Sequence, residues 1–501
     1  MRIGIDVGRA TSTAVLVDAA GRVLAEAVVD SAPRTGLCVR RALAALGPLP
    51  GPVGAVAVVT DLARRPPRPR PVAVLRIAPG SHAALAPLAD WPEAARTALG
   101  GLTGVVAGGS AVTGGSLGPL DRDGVAAFAA RARDAGVRVF AVCAAGAPAR
   151  PGPELDAAAV LAATVPGASL SLSYETGAAG LRERENATAV NAALGGWAEE
   201  LVADCRAALR SARIAAPLCF ARDDGGLVSA EYFARHPVIA TAPASACAAR
   251  GALARTGLDQ AVVVDAGARS VRCLVVRDGE PERSTRLLPG PFGVRLALGA
   301  PEVVKTDGAE AAEVPATVAR LLERVPGAGV LYTGGRAEAF GAPVGPGEPP
   351  AGDRERGTGR NVTRADTRTT VRTGAGADAR TDARTDARTD ARTDVRTGAG
   401  ADADPAPHGR YPRLTDAARY AARADCRIEV EQVISAAGRA ELDQALAAVR
   451  DHALSRCVAA GAAPGSVRIE SLAHAPVAYL PAGVHRVTVR AAGAPAPGAT
   501  P

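Results

Sequence analysis

Aromatic residues make up only 3% of this 501-residue chain, and Lys305 is its single lysine. The first shortage argues against a stacking surface for single-stranded nucleic acid, because such surfaces lay successive bases on aromatic rings. The second leaves the formal charge of +7 to arginine, which alternates with Asp and Glu and forms no dense basic block. No nucleic-acid partner is therefore expected. Eight cysteines (Cys38, Cys143, Cys205, Cys219, Cys247, Cys273, Cys426, Cys457) stand singly, without the close pairs of a zinc ribbon or a redox motif, so buried reduced thiols are expected. No apolar run approaches the ~20 residues that cross a bilayer, and the first residues enter a strand pattern with no charged-then-apolar leader. The expectation is a soluble cytoplasmic protein with no membrane partner.

What the chain does have is 48% hydrophobic content in an Ala/Gly/Pro/Arg-rich background, enough for several cores. Two stretches share one pattern, IGIDVGRATSTAVLVD at 3–18 and VVVDAGARSVRCLVVRDG at 262–279. Each reads as an apolar strand, an Asp, a glycine turn and a second strand. Periodicity predicts strands over 2–7, 13–18, 22–29, 53–60 and 72–77, a helix over 36–46, and a strand-helix-strand unit ending at 137–144. One long helix is expected over 183–212. RRPPRPRP at 64–71 reads as an exposed, proline-locked connection. GVLYTGGRAEAFG at 329–341 reads as a strand entering a Gly-Gly turn and a helix, and such a turn lets backbone approach a ligand closely. Strand, helix, strand, strand then closes the chain from 426 onwards.

Between these parts, residues 342–410 hold little but Gly, Pro, Arg, Thr, Asp and Ala, with ARTD four times from 379 to 394. A helix there would stack Arg380, Arg384, Arg388 and Arg392 at like-charge spacing, and nothing apolar offsets the entropy of ordering. A disordered insertion is expected. His82, His236, His408, His452, His474 and His485 are scattered, none with a second His or Cys at metal-ligand spacing, so ordinary core or surface histidines are expected. Cys247 has no partner histidine and reads as packing. Asp223 and Asp224, beside a Gly-Gly turn, either help hold a metal or end a strand, with the turn favoured.

A hairpin carrying an acidic residue just before a glycine turn, once in each half of the chain, resembles the way actin-like ATPases hold nucleotide phosphates and magnesium. The wider order of segments resembles the hydantoinase/oxoprolinase family, in its A-type subunit. SLSYETGAAGLRERENATAVNAAL at 171–194 is similar to a family segment through Glu183, Arg184, Thr188, Asn191 and Ala192. PLCFARDDGGLVSAEYFARHPV at 217–238 resembles its Asn-Asp-Gly segment, and IEVEQVISAAGRAELDQALAAVRDHAL with APVAYLPAGVHRVTVRAAG resembles its C-terminal domain. The likeness covers nearly everything except 342–410.

The resemblance implies an α/β fold of two actin-like ATPase (ribonuclease H-like) domains with a nucleotide cleft between them, plus a small α/β C-terminal domain. The corresponding bounds are 1–175, 176–341, the insertion 342–410, and 411–495. The implied activity is ATP-dependent opening of a cyclic imide or lactam, in which phosphorylating the amide oxygen creates a leaving group. A small cyclic amide would be the substrate, ATP and Mg2+ the cofactors, and a B-type or other subunit, or a second copy, the partner. Asp6 and Asp265 would be catalytic and hold magnesium, with Gly8, Arg9, Ser12, Gly267, Arg269, Ser270, Gly334 and Gly335 around the phosphates.

Against the family's pattern, the second Gly and the hydroxyl and acidic positions of the first turn have become Arg9, Ala10, Ser12 and Thr13. In the second turn they are Ala268, Arg269, Ser270, Val271 and Arg272, and the family's Ser-Gly-Pro turn falls on Pro243, Ala244 and Ser245. Two consequences compete. An arginine pairs with Asp6 or Asp265 and silences the ATPase, or Arg9, Arg269 and Arg272 replace the metal as phosphate-binding cations. Silencing is favoured, because guanidinium does not replace the lost hydroxyl and carboxylate ligands. The remaining readings are an ATP-dependent amidohydrolase subunit and a degenerate subunit that keeps the fold to hold a partner or a small ligand.

Overall fold

Continuous runs of Val, Ile and Ala give the opening strands two buried faces, as strands covered on both sides require. The computed structural model describes all residues except 63–67, 81–85, 178–179, 285, 298, 308–312, 341–393, 397–412 and 498–501. In it β1 (Arg2–Val7), β2 (Thr11–Val17) and β3 (Val23–Asp30) form an antiparallel meander, and α1 (Thr35–Ala45) leads to β4 (Ala55–Thr60), parallel to β1. Ile3, Ile5, Val56 and Val58 are fully buried, each stabilising the fold by about 1.5–3 kcal/mol in transfer terms.

A separate, four-stranded parallel sheet begins with β5 (Ala73–Ile77). α2 (Glu93–Ala98) precedes β6 (Thr103–Val106), α3 (Arg122–Asp134) precedes β7 (Val139–Ala144), and α4 (Gly152–Thr164) precedes β8 (Ser169–Leu172). The order across the sheet is β6-β5-β7-β8. The short α5 (Ser173–Thr176) then leads into α6 (Leu181–Ser211), 31 residues long, whose start carries charge into the interior. Arg76 on β5 donates Nε and Nη2 to the two carboxylate oxygens of Glu185 on α6, each at 2.7 Å. The two side chains are only 5% and 1% exposed, so this pair is effectively dry.

β9 (Leu218–Ala221) and β10 (Leu227–Ser229) rejoin the first sheet and are followed by α7 (Ala230–Arg235) and α8 (Ala244–Thr256). The second hairpin, β11 (Ala261–Ala266) and β12 (Ser270–Arg277), builds another sheet with β13 (Glu280–Pro281). After the small pair β14 (Leu288–Pro289) and β15 (Arg295–Leu296), β16 (Val304–Asp307) joins β12, and α9 (Glu313–Arg324) leads to β17 (Gly329–Thr333), parallel to β11. The helix expected after Gly335 is one 3-10 turn, Ala337–Phe340, because Gly341 and Pro343 follow at once in the sequence.

Half of the expected connection 64–71 and most of the expected insertion 342–410 lie outside the described residues. The described element within the latter is β18 (Asp394–Arg396), paired with β3 through main-chain bonds that need no apolar pattern. α10 (Asp416–Arg423), β19 (Cys426–Ser435), α11 (Arg439–Ala459), β20 (Arg468–Pro476) and β21 (Val484–Gly493) complete the chain. β19 pairs with β10 at Leu227 and Cys426, so the C-terminal strands continue the sheet that β1 belongs to, in the order β18-β3-β2-β1-β4-β9-β10-β19-β21-β20. α10 lies against β1, where Gly4 leaves no room for a Cβ beneath the Ala418 carbonyl. Among the described residues no helix is long and apolar enough to cross a membrane, and all eight cysteines are buried and free.

Candidate functional site

The two hairpins place their acidic residues at corresponding points. Asp6 is opposite Thr13 in the β1–β2 pair, and Asp265 is opposite Arg272 in the β11–β12 pair. In each case a parallel strand flanks the first strand. β4 runs on into Asp61 beside β1, and β17 runs on into Gly334 and Gly335 beside β11. Directly opposed residues share one face of a sheet, so the register decides what each carboxylate meets. Opposite Asp6 stands a threonine, and opposite Asp265 an arginine whose guanidinium reaches the carboxylate.

Arg272 Nη2 lies 3.4 Å from Asp61 Oδ2, while Nη1 lies 3.6 Å from Asp265 Oδ2 and donates to Ser245 Oγ at 3.2 Å. Burial works to lower this guanidinium, but Asp61, Asp265 and Asp6 outweigh it and hold it above its ordinary range. Burial also pushes the Asp265 carboxyl up to about 6, against the pull of Arg272 and with Asp61 and Asp416 adding to the rise. The other Asp61 oxygen accepts the Ala244 amide at the start of α8, at 3.2 Å. Asp416, 1% exposed, is gripped by Arg255 Nε and Nη2 at 3.1 Å each, which fixes the start of α10 within electrostatic reach of Asp265.

Magnesium requires several oxygens at about 2.0–2.1 Å around one point. Here the carboxylates that would supply them already have a resident cation, and the residues do not fit a divalent ion while Arg272 holds that place. Of the three arginines expected from the turns, Arg272 is lodged against Asp61 and Asp265, while Arg9 and Arg269 are exposed at the hairpin tips. Ser12 is also committed elsewhere. Its hydroxyl meets Ser31 Oγ at 2.7 Å, and Ser31 in turn donates to the Gly8 carbonyl at 2.7 Å, so the pair ties the first turn together. The Gly267 amide donates to the Ser270 carbonyl at 3.0 Å and closes the second turn. Thr13 Oγ1 is buried with no hydrogen-bond partner among the described residues.

Gly334, at φ +89°, brings β17 close to Asp265, whereas Gly335 is exposed. A Cβ on Gly334 would lie 2.6 Å from the Ala266 carbonyl oxygen and 2.9 Å from Asp265 Oδ1. Gly334→Ala is expected to lower stability by more than about 1 kcal/mol, read as a shifted midpoint in urea unfolding.

The Asp223–Asp224 pair does structural work. Asp223 accepts Thr241 Oγ1 at 2.8 Å and the Ala242 amide at 2.7 Å, yet burial pushes it up to about 7. Burial also works to raise Asp224, but Arg222, Arg427 and Arg283 outweigh it and hold that carboxyl down at about 2, while Oδ1 accepts the Gly226 amide across the turn. Cys247 is fully buried in α8, and burial pushes its thiol well above the ordinary range, so it packs and does not react. Sequence reasoning missed Asp61. Its signal was position, because a carboxylate just past the C-terminal end of a buried parallel strand is where α/β sheets place ligand-facing groups.

Residues 184–303 match the family model described as hydantoinase/oxoprolinase. Among solved structures, the chain is similar to a nucleotide-free acetone carboxylase, from work on ATP-dependent acetone carboxylation, with 16% identity over 61% of this chain and 48% of that one and a TM-score of 0.46. It is also similar to an ATP-dependent caprolactamase from Pseudomonas jessenii, with 20% identity, the same two shares and a TM-score of 0.48. The chain thus spans about half the length of these structures. No curated protein sequence matches it.

Proposed function

We propose that this chain, whose residues 184–303 match the hydantoinase/oxoprolinase family model, is a degenerate subunit of that family that binds a small polar ligand or a partner subunit and does not turn over ATP. The observation that carries this reading is Arg272, lodged within 3.4–3.6 Å of Asp61 and Asp265 where a magnesium ion would need their oxygens. A second cation brought to the same carboxylates meets the repulsion of the first. Displacing Arg272 would leave its charge desolvated or force it out towards the hairpin tip.

A place for a ligand exists away from the carboxylates. A cleft of about 480 Å³ opens beside the Asp223–Asp224 turn, walled by Arg222, Arg283 and Arg486 and by Glu429 and Glu431. Its volume suits a small molecule, and its paired charges suit one carrying both donors and acceptors. A cytoplasmic location and a B-type partner or a second copy belong to the same proposal.

The second reading is ATP-dependent opening of a cyclic imide or lactam, with Asp6 and Asp265 on magnesium. It is favoured by the Asp-x-Gly core that both hairpins keep and by the close approach of Gly334 to Asp265. Calorimetric titration of Mg-ATP into the wild-type chain separates the two. The expected result is no submillimolar binding by a folded protein. Submillimolar binding that Asp265→Asn abolishes would overturn the degenerate reading and support the enzyme.

A further inference from the structure

His474 and His485 read from the sequence as unrelated histidines, but the fold puts them side by side. β20 and β21 are antiparallel, with His474 opposite Val487 and Pro476 opposite His485, so the two histidines are diagonal neighbours across the ladder. Their Nδ1 atoms are 3.4 Å apart and the ring planes are tilted by 54°. His474 is exposed and His485 half-buried, so the pair is open to solvent.

Two explanations of that separation are separable by magnitude. A hydrogen bond between neutral imidazoles draws nitrogen to nitrogen at about 2.9–3.0 Å, and 3.4 Å is long for it. Two imidazole nitrogens bound to one tetrahedral zinc at about 2.0–2.1 Å stand about 3.4 Å apart, the chord of the tetrahedral angle. A square-planar ion, with its right angle, would need about 2.8 Å. Among the described residues no group of three or more His, Cys, Asp and Glu side chains converges for a metal, so the protein would supply two ligands.

We propose that His474 and His485 form a two-histidine chelate for a tetrahedral divalent cation of the zinc class, with water in the remaining positions. Each ring binds through Nδ1 and keeps its proton on Nε2. Because two ligands leave two positions open, the ion is exchangeable, unlike one closed in by four side chains. The site spans the edge strand β20 and its neighbour β21, well apart in sequence from Arg272 and the carboxylates, and does not depend on how those residues function.

The test is titration of the full chain with Zn2+ alone by calorimetry, repeated on His474→Ala and His485→Ala, with Co2+ as a spectroscopic probe. The expected result is one Zn2+ per chain at micromolar affinity, at least tenfold weaker in each variant, and an intense visible Co2+ spectrum of the four-coordinate kind. Circular dichroism should be unchanged, because the two side chains are at the surface. Absence of Zn2+ binding, unchanged affinity in either variant, or the pale spectrum of six-coordinate Co2+ would each overturn the proposal.

Discussion

Arg272→Met should cost the fold up to about 3–5 kcal/mol at neutral pH, because it leaves the largely buried Asp61 and Asp265 without the cation they share. The loss should also depend on pH, with a sign set by Asp265. Its folded carboxyl titrates at about 6 against an ordinary 3.8, so the native state holds the proton more tightly than the unfolded chain. Stability from this group is therefore fully present below about pH 4 and falls by about 3 kcal/mol as pH rises to 6, at about 1.4 kcal/mol per unit. Without Arg272 the carboxyl rises further and the loss extends to higher pH. Urea unfolding of wild type and variant at pH 5 and pH 8 should show a clearly smaller deficit at pH 5. An equal deficit at both pH values would mean that Arg272 acts through packing and not through these carboxylates.

A loss of similar size is expected far from the hairpins. Arg76→Ala removes both charge-assisted bonds to Glu185, whose side chain is 1% exposed and would keep, among the described residues, the Leu88 amide at 3.3 Å. Breaking a buried pair from one side costs about 3–5 kcal/mol, whereas replacing both partners with apolar groups of like volume is often nearly neutral. The double variant Arg76→Met, Glu185→Leu should therefore recover most of what Arg76→Ala loses. Denaturant midpoints of the wild type and these two variants would settle it. A double variant no more stable than Arg76→Ala would show that the pair sets the geometry between β5 and α6 and is not simply a neutralised charge.

Much of the fold was legible because apolar runs and helical periods are local. The meander, the long helix and both hairpins fall within a few residues of where their patterns place them, and Asp6 and Asp265 announce themselves by preceding a glycine. The centre of the site was less visible. Three arginines follow the acidic residues of the two turns, and only strand register tells which points inward. Counting outward from the second turn pairs Asp265 with Arg272 and sends Arg269 to the tip, so the information was present but needed the hairpin's closing bond to fix it. Asp61 was hidden because its partners come from α8 and β12, 183 and 211 residues away in sequence. The histidine pair was hidden for a similar reason, since its spacing of eleven residues means nothing until β20 and β21 are aligned.

The buried thiols have a practical consequence. Cys38 and Cys205 lie in the core behind the first meander, Cys273 in the core of the second hairpin, and Cys457 where α11 meets the C-terminal strands. Burial pushes Cys205 up to about 12 and Cys273 and Cys457 up to about 11, so none of these three offers a reactive thiolate while its surroundings stay closed. An alkylating reagent can reach each sulfur only when that region opens. The chain therefore carries its own set of local timers, and peptide-resolved labelling rates would rank its cores by how often each comes apart, with no introduced probe.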